Sequence, residues 1–347
     1  MINFPHRLHL AQTPTPLQPL DRLSDELGGP RIWVKRDDLT GCAISGNKVR
    51  KLEFILAKAI EQGADTIITC GGVQSNHCRA TAILGAQLGL KVHLILRGNE
   101  PTDKSLGNLF LDQLSGAEIS YYPLSEYQNL SELFQQWEQH YIGLGNSPFS
   151  IPTGASNGTG AWGYIACAQE LANDFQQHDI SPSLIACATG SGGTQAGLTL
   201  GAELFQLGAP VLGIAVCDDE AYFQKKVRED MKAWHSEYQH LLNLNKMDLD
   251  KPDLDKLDIN KLTINVNDDH IGPGYAKATP EIFETIKHLA KTEGLILDPV
   301  YSGKAFHGFL EEIKSGQYSF GSEKSAQDIV FIHTGGLFGL LAQRDQL

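Results

Sequence analysis

Short apolar runs rich in β-branched residues alternate along this chain with longer stretches in which apolar positions recur every three or four residues. The first pattern marks strands and the second amphipathic helices. Strands are predicted at RIWVK (31–35), DTIIT (65–69), KVHLILR (91–97), AEISYY (117–122), SLIACA (183–188), VLGIAV (211–216) and IVFIHT (329–334). Over 49–62, Leu52, Ile55, Leu56 and Ala59 fall on one helical face. The alternation predicts an α/β fold with open, twisted, mostly parallel sheets and helices on both faces. A Gly-rich run, IPTGASNGTGAWGY (151–164), breaks it near mid-chain and is a candidate domain crossing. The polar stretch 245–261 reads as a solvated surface excursion.

A length of 347 residues allows one large or two modest domains. Against 28 basic residues stand 41 acidic ones, a formal charge of -13, which repels nucleic-acid phosphates and anionic lipid and excludes both as expected partners. The opening MINFPHRLHLAQTPTPL lacks the apolar core of a signal peptide, and no apolar run is long enough to cross a membrane, so a soluble cytoplasmic chain is expected. The six cysteines are irregularly spaced, several inside strand-like runs, as expected of buried reduced thiols. Neither Cys-x-x-Cys nor a His pair at i, i+4 is present, and no catalytic metal is expected.

Four segments could carry chemistry. GSGGTQAG (190–197) lies between a predicted strand and helix, where glycines expose successive N–H groups beside a positive helix end. Such a turn suits a phosphate monoester, with hydroxyls from Ser191 and Thr194, although a ligand-free turn has the same composition. SGNKVRKLEF (45–54) puts Lys48 at a helix start beside Arg50 and Lys51. Neighbouring cations and the helix dipole lower an ammonium pKa, which imine chemistry requires. In CGGVQSNHCRATA (70–82), Ser75 and Asn76 are N-cap candidates that could also hold a carboxylate. Tyr275 and Tyr301 stand in the Gly- and Pro-bounded segments IGPGYA and DPVYSGKA, as pocket-lining phenols or core rings, and HTGG (333–336) follows the last strand.

Taken together and in this order, KRDDLTG, GNKVRKLE, QSNH, GSGGTQAG and DPVYSGK resemble the 1-aminocyclopropane-1-carboxylate (ACC) deaminase and D-cysteine desulfhydrase family of pyridoxal 5'-phosphate (PLP) enzymes. The resemblance implies a two-domain tryptophan synthase β-like architecture, PLP fold type II. Residues 1–53 and 165–347 would form the large domain and 54–164 a smaller inserted one, with PLP between them. It implies that Lys48 carries PLP as a Schiff base and then acts as acid and base. Ser191, Gly192, Gly193 and Thr194 would cup the phosphate, with Lys51 adding charge. Asn76 would bind the phenolate oxygen, and Ser75, Asn76 and His77 the substrate carboxylate. Tyr275 and Tyr301 would face a small amino-acid substrate, and Ser302 and Thr334 would lie near the pyridine ring. A homodimer is usual in the family.

Where the deaminase branch carries Glu after the tyrosine of DPVY and Leu in the H-x-G-G turn, this chain has Ser302 and Thr334. A neutral hydroxyl near the pyridine nitrogen leaves a weaker electron sink than a carboxylate, sufficient to expel a thiolate. The expected activity is therefore α,β-elimination of D-cysteine to pyruvate, ammonia and hydrogen sulfide. ACC deamination, elimination from another β-substituted alanine such as cysteate, and a non-catalytic phosphate-binding protein are the alternatives.

Overall fold

The computed structural model describes residues 2–103, 106–241, 257–316 and 328–347. Ten strands are present among them: β1 Leu17–Pro19, β2 Arg31–Lys35, β3 Thr66–Gly72, β4 Lys91–Arg97, β5 Glu118–Tyr122, β6 Pro148–Ile151, β7 Leu184–Thr189, β8 Val211–Ala215, β9 Asn265–Asn267 and β10 Asp328–Ile332. They form a six-stranded sheet in the order β1-β2-β10-β7-β8-β9 and a four-stranded sheet in the order β5-β4-β3-β6. Every pairing is parallel except β1 with β2.

A parallel sheet needs helices on both faces, because each strand pair is joined by a crossover. All six residues of β7 and all five of β8 are accordingly buried. On one face of the large sheet, helices Pro280–Glu293 and Ser302–Ser315 contribute Ile282, Phe283, Ile286, Phe306 and Phe309 to the core. On the other, helices Gly158–His178, Gly193–Leu204 and Glu220–Tyr238 pack through Trp162, Leu200 and Trp234. The small sheet is covered by helices Asn47–Glu61 and Asn76–Gln87 on one side and by Leu130–Gly143 on the other.

All seven predicted strands are present, with bounds shifted by at most three residues. The three that the pattern missed, LQP, PFSI and NVN, have three or four residues each and contain proline or mostly polar residues. All three border their sheets, where one side of the strand needs no partner. The Gly-rich run closes β6, makes a turn at Thr153–Ala155 and opens the helix Gly158–His178. Of the polar stretch 245–261, residues 245–256 lie outside the described residues.

In parallel sheets the loops at the carboxyl ends of the strands gather on one side, where ligands bind. The segments after β3, β7, β8 and β10 all contribute to one cavity here.

Candidate active site

The cavity holds about 400 Å³. Its walls include Asn47, Lys48, Gly72, Ser75, Asn76, His77, Arg97, Ser156, Ser191, Gly192, Thr194, Asp218, Lys226, Tyr275, Tyr301 and Thr334. Three cations, Lys48, Arg97 and Lys226, thus face one carboxylate, Asp218, in a chain whose formal charge is -13. That local reversal of sign favours an anionic ligand.

Lys48 occupies the first turn of helix Asn47–Glu61. The preceding Gly46 has φ +106°, and a Cβ there would lie 2.7 Å from the carbonyl oxygen of Thr334. The loop before Lys48 and the turn after β10 therefore cross in near backbone contact, and Asn47 N–H donates to Thr334 O at 3.1 Å. Lys48 Nζ donates to Asn47 Oδ1 at 2.9 Å and lies 6.0 Å from the centre of the Tyr301 ring. Burial pulls its pKa down to about 8, Asp298 opposes that and the Arg79 cation adds to it. The depression expected from sequence is present, but its causes differ. Arg50 turns away, with both guanidinium edges bonded to Asp37 and Glu170 at 2.8–2.9 Å.

Around GSGG the polar groups are largely paired. Ser156 Oγ donates to Ser191 Oγ at 2.8 Å and accepts from Gly193 N–H at 3.2 Å. A Cβ on Gly193 would come within 2.6 Å of Ser156 Oγ, so glycine is needed for that approach. Asn47 Nδ2 donates to Thr194 Oγ1 at 2.9 Å, leaving the Thr194 hydroxyl proton for a ligand. Gly193 itself and Lys51 lie behind the cavity wall. Lys51 is fully buried and donates to Gly154 O at 3.2 Å and Ser156 Oγ at 3.4 Å. Burial first, and then the Lys48 and Lys226 charges, hold its pKa well below the usual lysine range. Lys226, whose Nζ is bonded to Asp230 and lies 3.4 Å from Ser156 O, is the lysine on the cavity surface at this end.

At the opposite end Ser75 caps helix Asn76–Gln87, its Oγ accepting from Cys78 N–H at 3.2 Å, so its hydroxyl proton is available to a ligand. The amides of Asn76 and His77, first in that helix, have no intrahelical acceptor. Asn76 Oδ1 is buried without a partner. His77 Nε2 lies 2.7 Å from Thr69 Oγ1, whose proton goes to Ile151 O at 2.8 Å. Nε2 is therefore the protonated nitrogen and His77 Nδ1, also buried and unpartnered, carries only a lone pair. Burial, reinforced by Lys48 and Lys51, holds the ring neutral. A carboxylate near His77 would thus meet its backbone N–H and not its side chain.

The Tyr275 and Tyr301 hydroxyls are 2.7 Å apart and both residues line the cavity. Burial raises both phenol pKa values, so both are neutral acids at physiological pH. The Arg97 guanidinium stacks on Tyr275 at 4.6 Å from the ring centre. Thr334 reaches the cavity, whereas Ser302 does not. The Ser302 side chain is fully buried, its proton shared between Asp298 Oδ1 at 2.7 Å and Gly335 O at 3.1 Å, and it accepts from Asp298 N–H.

Sequence reasoning passed over Asn47 and Ser156, which link Lys48 and the GSGG turn, as well as Arg97 and Lys226. Ser156 lay in the Gly-rich run already singled out, so the signal was there without an assigned role.

The family described as "Pyridoxal-phosphate dependent enzyme" matches residues 8–335. The chain belongs to this family. A bifunctional D-cysteine desulfhydrase/1-aminocyclopropane-1-carboxylate deaminase, mitochondrial, of Arabidopsis thaliana is 40% identical over 350 residues, covering 99% of this chain and 81% of that protein. A putative 1-aminocyclopropane-1-carboxylate deaminase of Thermotoga maritima is 40% identical over 342 residues, covering 98% and 99%. Among solved structures, an ACC deaminase homologue superposes with a TM-score of 0.80 at 33% identity, over 98% of this chain and 94% of that one.

As a member of the pyridoxal-phosphate dependent family, the chain is a PLP-dependent lyase of the tryptophan synthase β-like fold. The residues present fit PLP: an amine of depressed pKa, a Gly-rich helix start with free hydroxyl protons, and the Asn76 side-chain amide on the same cavity wall. Among the described residues, no group of three or more His, Cys, Asp or Glu is placed to hold a metal ion, and no helix is long and apolar enough to cross a membrane.

Proposed function

We propose that this enzyme eliminates thiol from D-cysteine, converting D-cysteine and water to pyruvate, ammonia and hydrogen sulfide. The observation that carries the choice is Thr334, a cavity-lining residue without a carboxylate, together with Ser302, which is buried away from the cavity and puts no carboxylate beside it. The desulfhydrase half of the Arabidopsis relative's name supports the same reading.

Bound here, PLP supplies an electron sink for charge at the substrate's Cα. Lys48 would form the imine link, while the turn from Ser191 to Thr194, backed by Ser156 and with Lys226 beside it, would hold the phosphate. The Asn76 amide would face the phenolate oxygen and Thr334 Oγ1 the pyridine nitrogen. The substrate carboxylate would be bound by the Ser75 hydroxyl and the Asn76 and His77 amides, a cluster of neutral donors at a helix start. Lys48 Nζ, with a pKa near 8, would move the Cα proton. The neutral Tyr275–Tyr301 pair would orient the side chain and offer its proton toward the departing sulfur.

A second reading, ACC deamination, is favoured by the name of the Thermotoga relative and half the name of the plant one. The deciding experiment offers D-cysteine, L-cysteine, D-cysteate, β-chloro-D-alanine and ACC to the pure holoenzyme and measures pyruvate, 2-oxobutyrate and sulfide. Sulfide and pyruvate from D-cysteine are expected; faster 2-oxobutyrate from ACC would overturn the choice.

The reading extends to the assembly and its location. We place residues 54–164 as a domain inserted into 1–53 and 165–347, since the strands of the small sheet all fall within that span. Phe110 and Leu114 on helix Gly107–Leu114, and Leu337 and Leu341 on the adjoining helix Leu337–Leu341, are exposed at i, i+4 spacing, which suits a homodimer contact. Sedimentation of wild type and Phe110→Glu tests it. Six free cysteines fit the reducing cytoplasm, which cell fractionation tests.

A further inference from the structure

Arg79 is an unusual residue for its place. It stands in the first turn of helix Asn76–Gln87, where the helix dipole disfavours a cation, and its side chain is completely buried. Burial pulls its pKa down to about 10, with Asp112 opposing, so it stays charged at neutral pH. No carboxylate is hydrogen-bonded to it among the described residues: Asp112 acts on it through its charge alone, and burial raises the Asp112 carboxyl well above the usual range. A buried cation with no carboxylate bonded to it is costly, and the hydrogen bonds and ring contact that offset that cost are to neutral groups.

Those contacts join three parts of the site. One guanidinium nitrogen donates to Ala43 O and another to Ser45 O, the latter at 2.8 Å. Both carbonyls belong to the loop that enters the Lys48 helix. The guanidinium also lies 4.8 Å from the centre of the Phe338 ring, four residues beyond Thr334. At the other end of its side chain, Arg79 shares a helical turn with Ser75, Asn76 and His77, and Arg79 N–H donates to Ser75 O at 3.2 Å.

We propose that Arg79 is a positioning residue that clamps the Lys48 loop to the Ser75–His77 helix start and the segment after Thr334. Amine, carboxylate site and ring-nitrogen contact are thereby held in fixed relation. The inference rests on the functional reading above for what the three parts do, but not for the clamp itself. A guanidinium suits the task because its rigid planar fork reaches two carbonyls at once while its face rests on a ring; a lysine, a compact charge on a flexible stem, has neither the fork nor the face.

The test uses Arg79→Met and Arg79→Lys, each assayed as holoenzyme for kcat and KM with D-cysteine, or with ACC if that is the substrate turned over. The same proteins, stripped of PLP, are trace-labelled with acetic anhydride across pH, and acetylation of Lys48 is read by mass spectrometry. Charged or titratable groups around Lys48 are Asp298, Arg79, Lys51, His77 and Tyr301. Of these, only Arg79 is changed. In wild type the labelling midpoint should lie at about 8. Arg79→Met should move it upward and raise KM about tenfold or more, from two lost hydrogen bonds to a charged donor. Arg79→Lys should return the midpoint toward wild type by restoring charge but leave KM raised, a split that simple loss of packing would not give. Folded Arg79→Met with wild-type midpoint and KM would overturn the clamp, as would complete rescue of KM by lysine. Should the methionine variant not fold, KM of the lysine variant decides alone. A wild-type protein that forms no imine at Lys48 would sink the functional reading, while the labelling midpoints would still decide the clamp.

Discussion

The two ends of the cavity are built differently. At the GSGG end, Ser156 is bonded to Ser191, Gly193 and Lys51, Lys51 to Gly154, and Asn47 to Thr194, by hydrogen bonds of 2.8–3.4 Å. At the Ser75 end, Asn76 Oδ1 and His77 Nδ1 are buried with no partner. Both atoms are acceptors, which a carboxylate cannot pair; what this end holds in reserve for a ligand is the Ser75 hydroxyl proton and the Asn76 and His77 backbone amides, while the first end is pre-arranged. The difference matches a tightly kept cofactor phosphate at one end and a substrate that comes and goes at the other. Preorganisation lowers the entropic cost of binding, and reserve hydrogen-bonding capacity gives selectivity.

The largest expected effect lies where the two ends meet. Lys48→Ala should abolish both the visible imine absorbance and turnover while circular dichroism stays that of the folded chain. Borohydride-reducible attachment of PLP in that variant would move the link elsewhere and break the comparison at its hinge. The pH dependence follows from the depressed pKa. Because the free amine is the nucleophile, PLP uptake by stripped protein should accelerate as pH rises through about 8 and level off above it. A profile still climbing steeply at pH 10 would mean an unperturbed lysine.

Next in size is Ser302→Glu. Ser302 is fully buried against the Asp298 carboxylate, which also accepts from the Val300, Tyr301 and Ser302 amides at 2.8–3.0 Å. A second carboxylate there would face the first in a dry site, at a cost of about 3–5 kcal/mol. Loss of thermal stability is expected, with PLP electronics changed little. A stable variant with an altered cofactor spectrum would show that position 302 does reach the ring.

This outcome also shows where the sequence stopped being legible. The strand–helix alternation revealed the sheets because fully buried parallel strands read as apolar runs, and the Gly-rich turns after β3 and β7 were visible because backbone N–H exposure needs glycine. Side-chain direction was not visible. Ser302 and Thr334 are both small hydroxyl residues beside glycines, yet one is buried in the Asp298 turn and the other lines the cavity. Nor could spacing show that Arg79, distant in sequence, would replace Arg50 as the cation acting on Lys48. Nor was the tautomer of the histidine in QSNH visible, which only the Thr69–Ile151 hydrogen bonds fix.

At the pre-arranged end, Thr194→Ala should weaken PLP retention by roughly tenfold to a hundredfold, the loss of one hydrogen bond to a charged phosphate worth about 1.5–3 kcal/mol. It also strands Asn47 Nδ2, whose partner is Thr194 Oγ1. Equilibrium dialysis against PLP measures the effect, and kcat at saturating PLP should change less than affinity does. Unchanged affinity would remove GSGG as the phosphate site and, with it, the asymmetry between the ends.

The smallest effect is expected from Thr334→Val, which keeps the shape of the side chain and removes only the hydroxyl. The backbone of Thr334 remains bonded to Asn47 through its carbonyl, and the turn is held by Gly335 N–H donating to His333 Nδ1 at 3.2 Å, so the loop should not move. What is lost is one neutral hydrogen bond toward the pyridine nitrogen, worth about 0.5–1.5 kcal/mol. That predicts a fall in kcat of roughly twofold to tenfold, KM nearly constant, and a small shift in the visible band of the holoenzyme. Thr334→Ser should restore all three, since it returns the hydroxyl without the methyl. If valine instead leaves kcat and the spectrum untouched, Thr334 does not address the ring, and the hydroxyl argument for thiol elimination over ring opening loses its structural support.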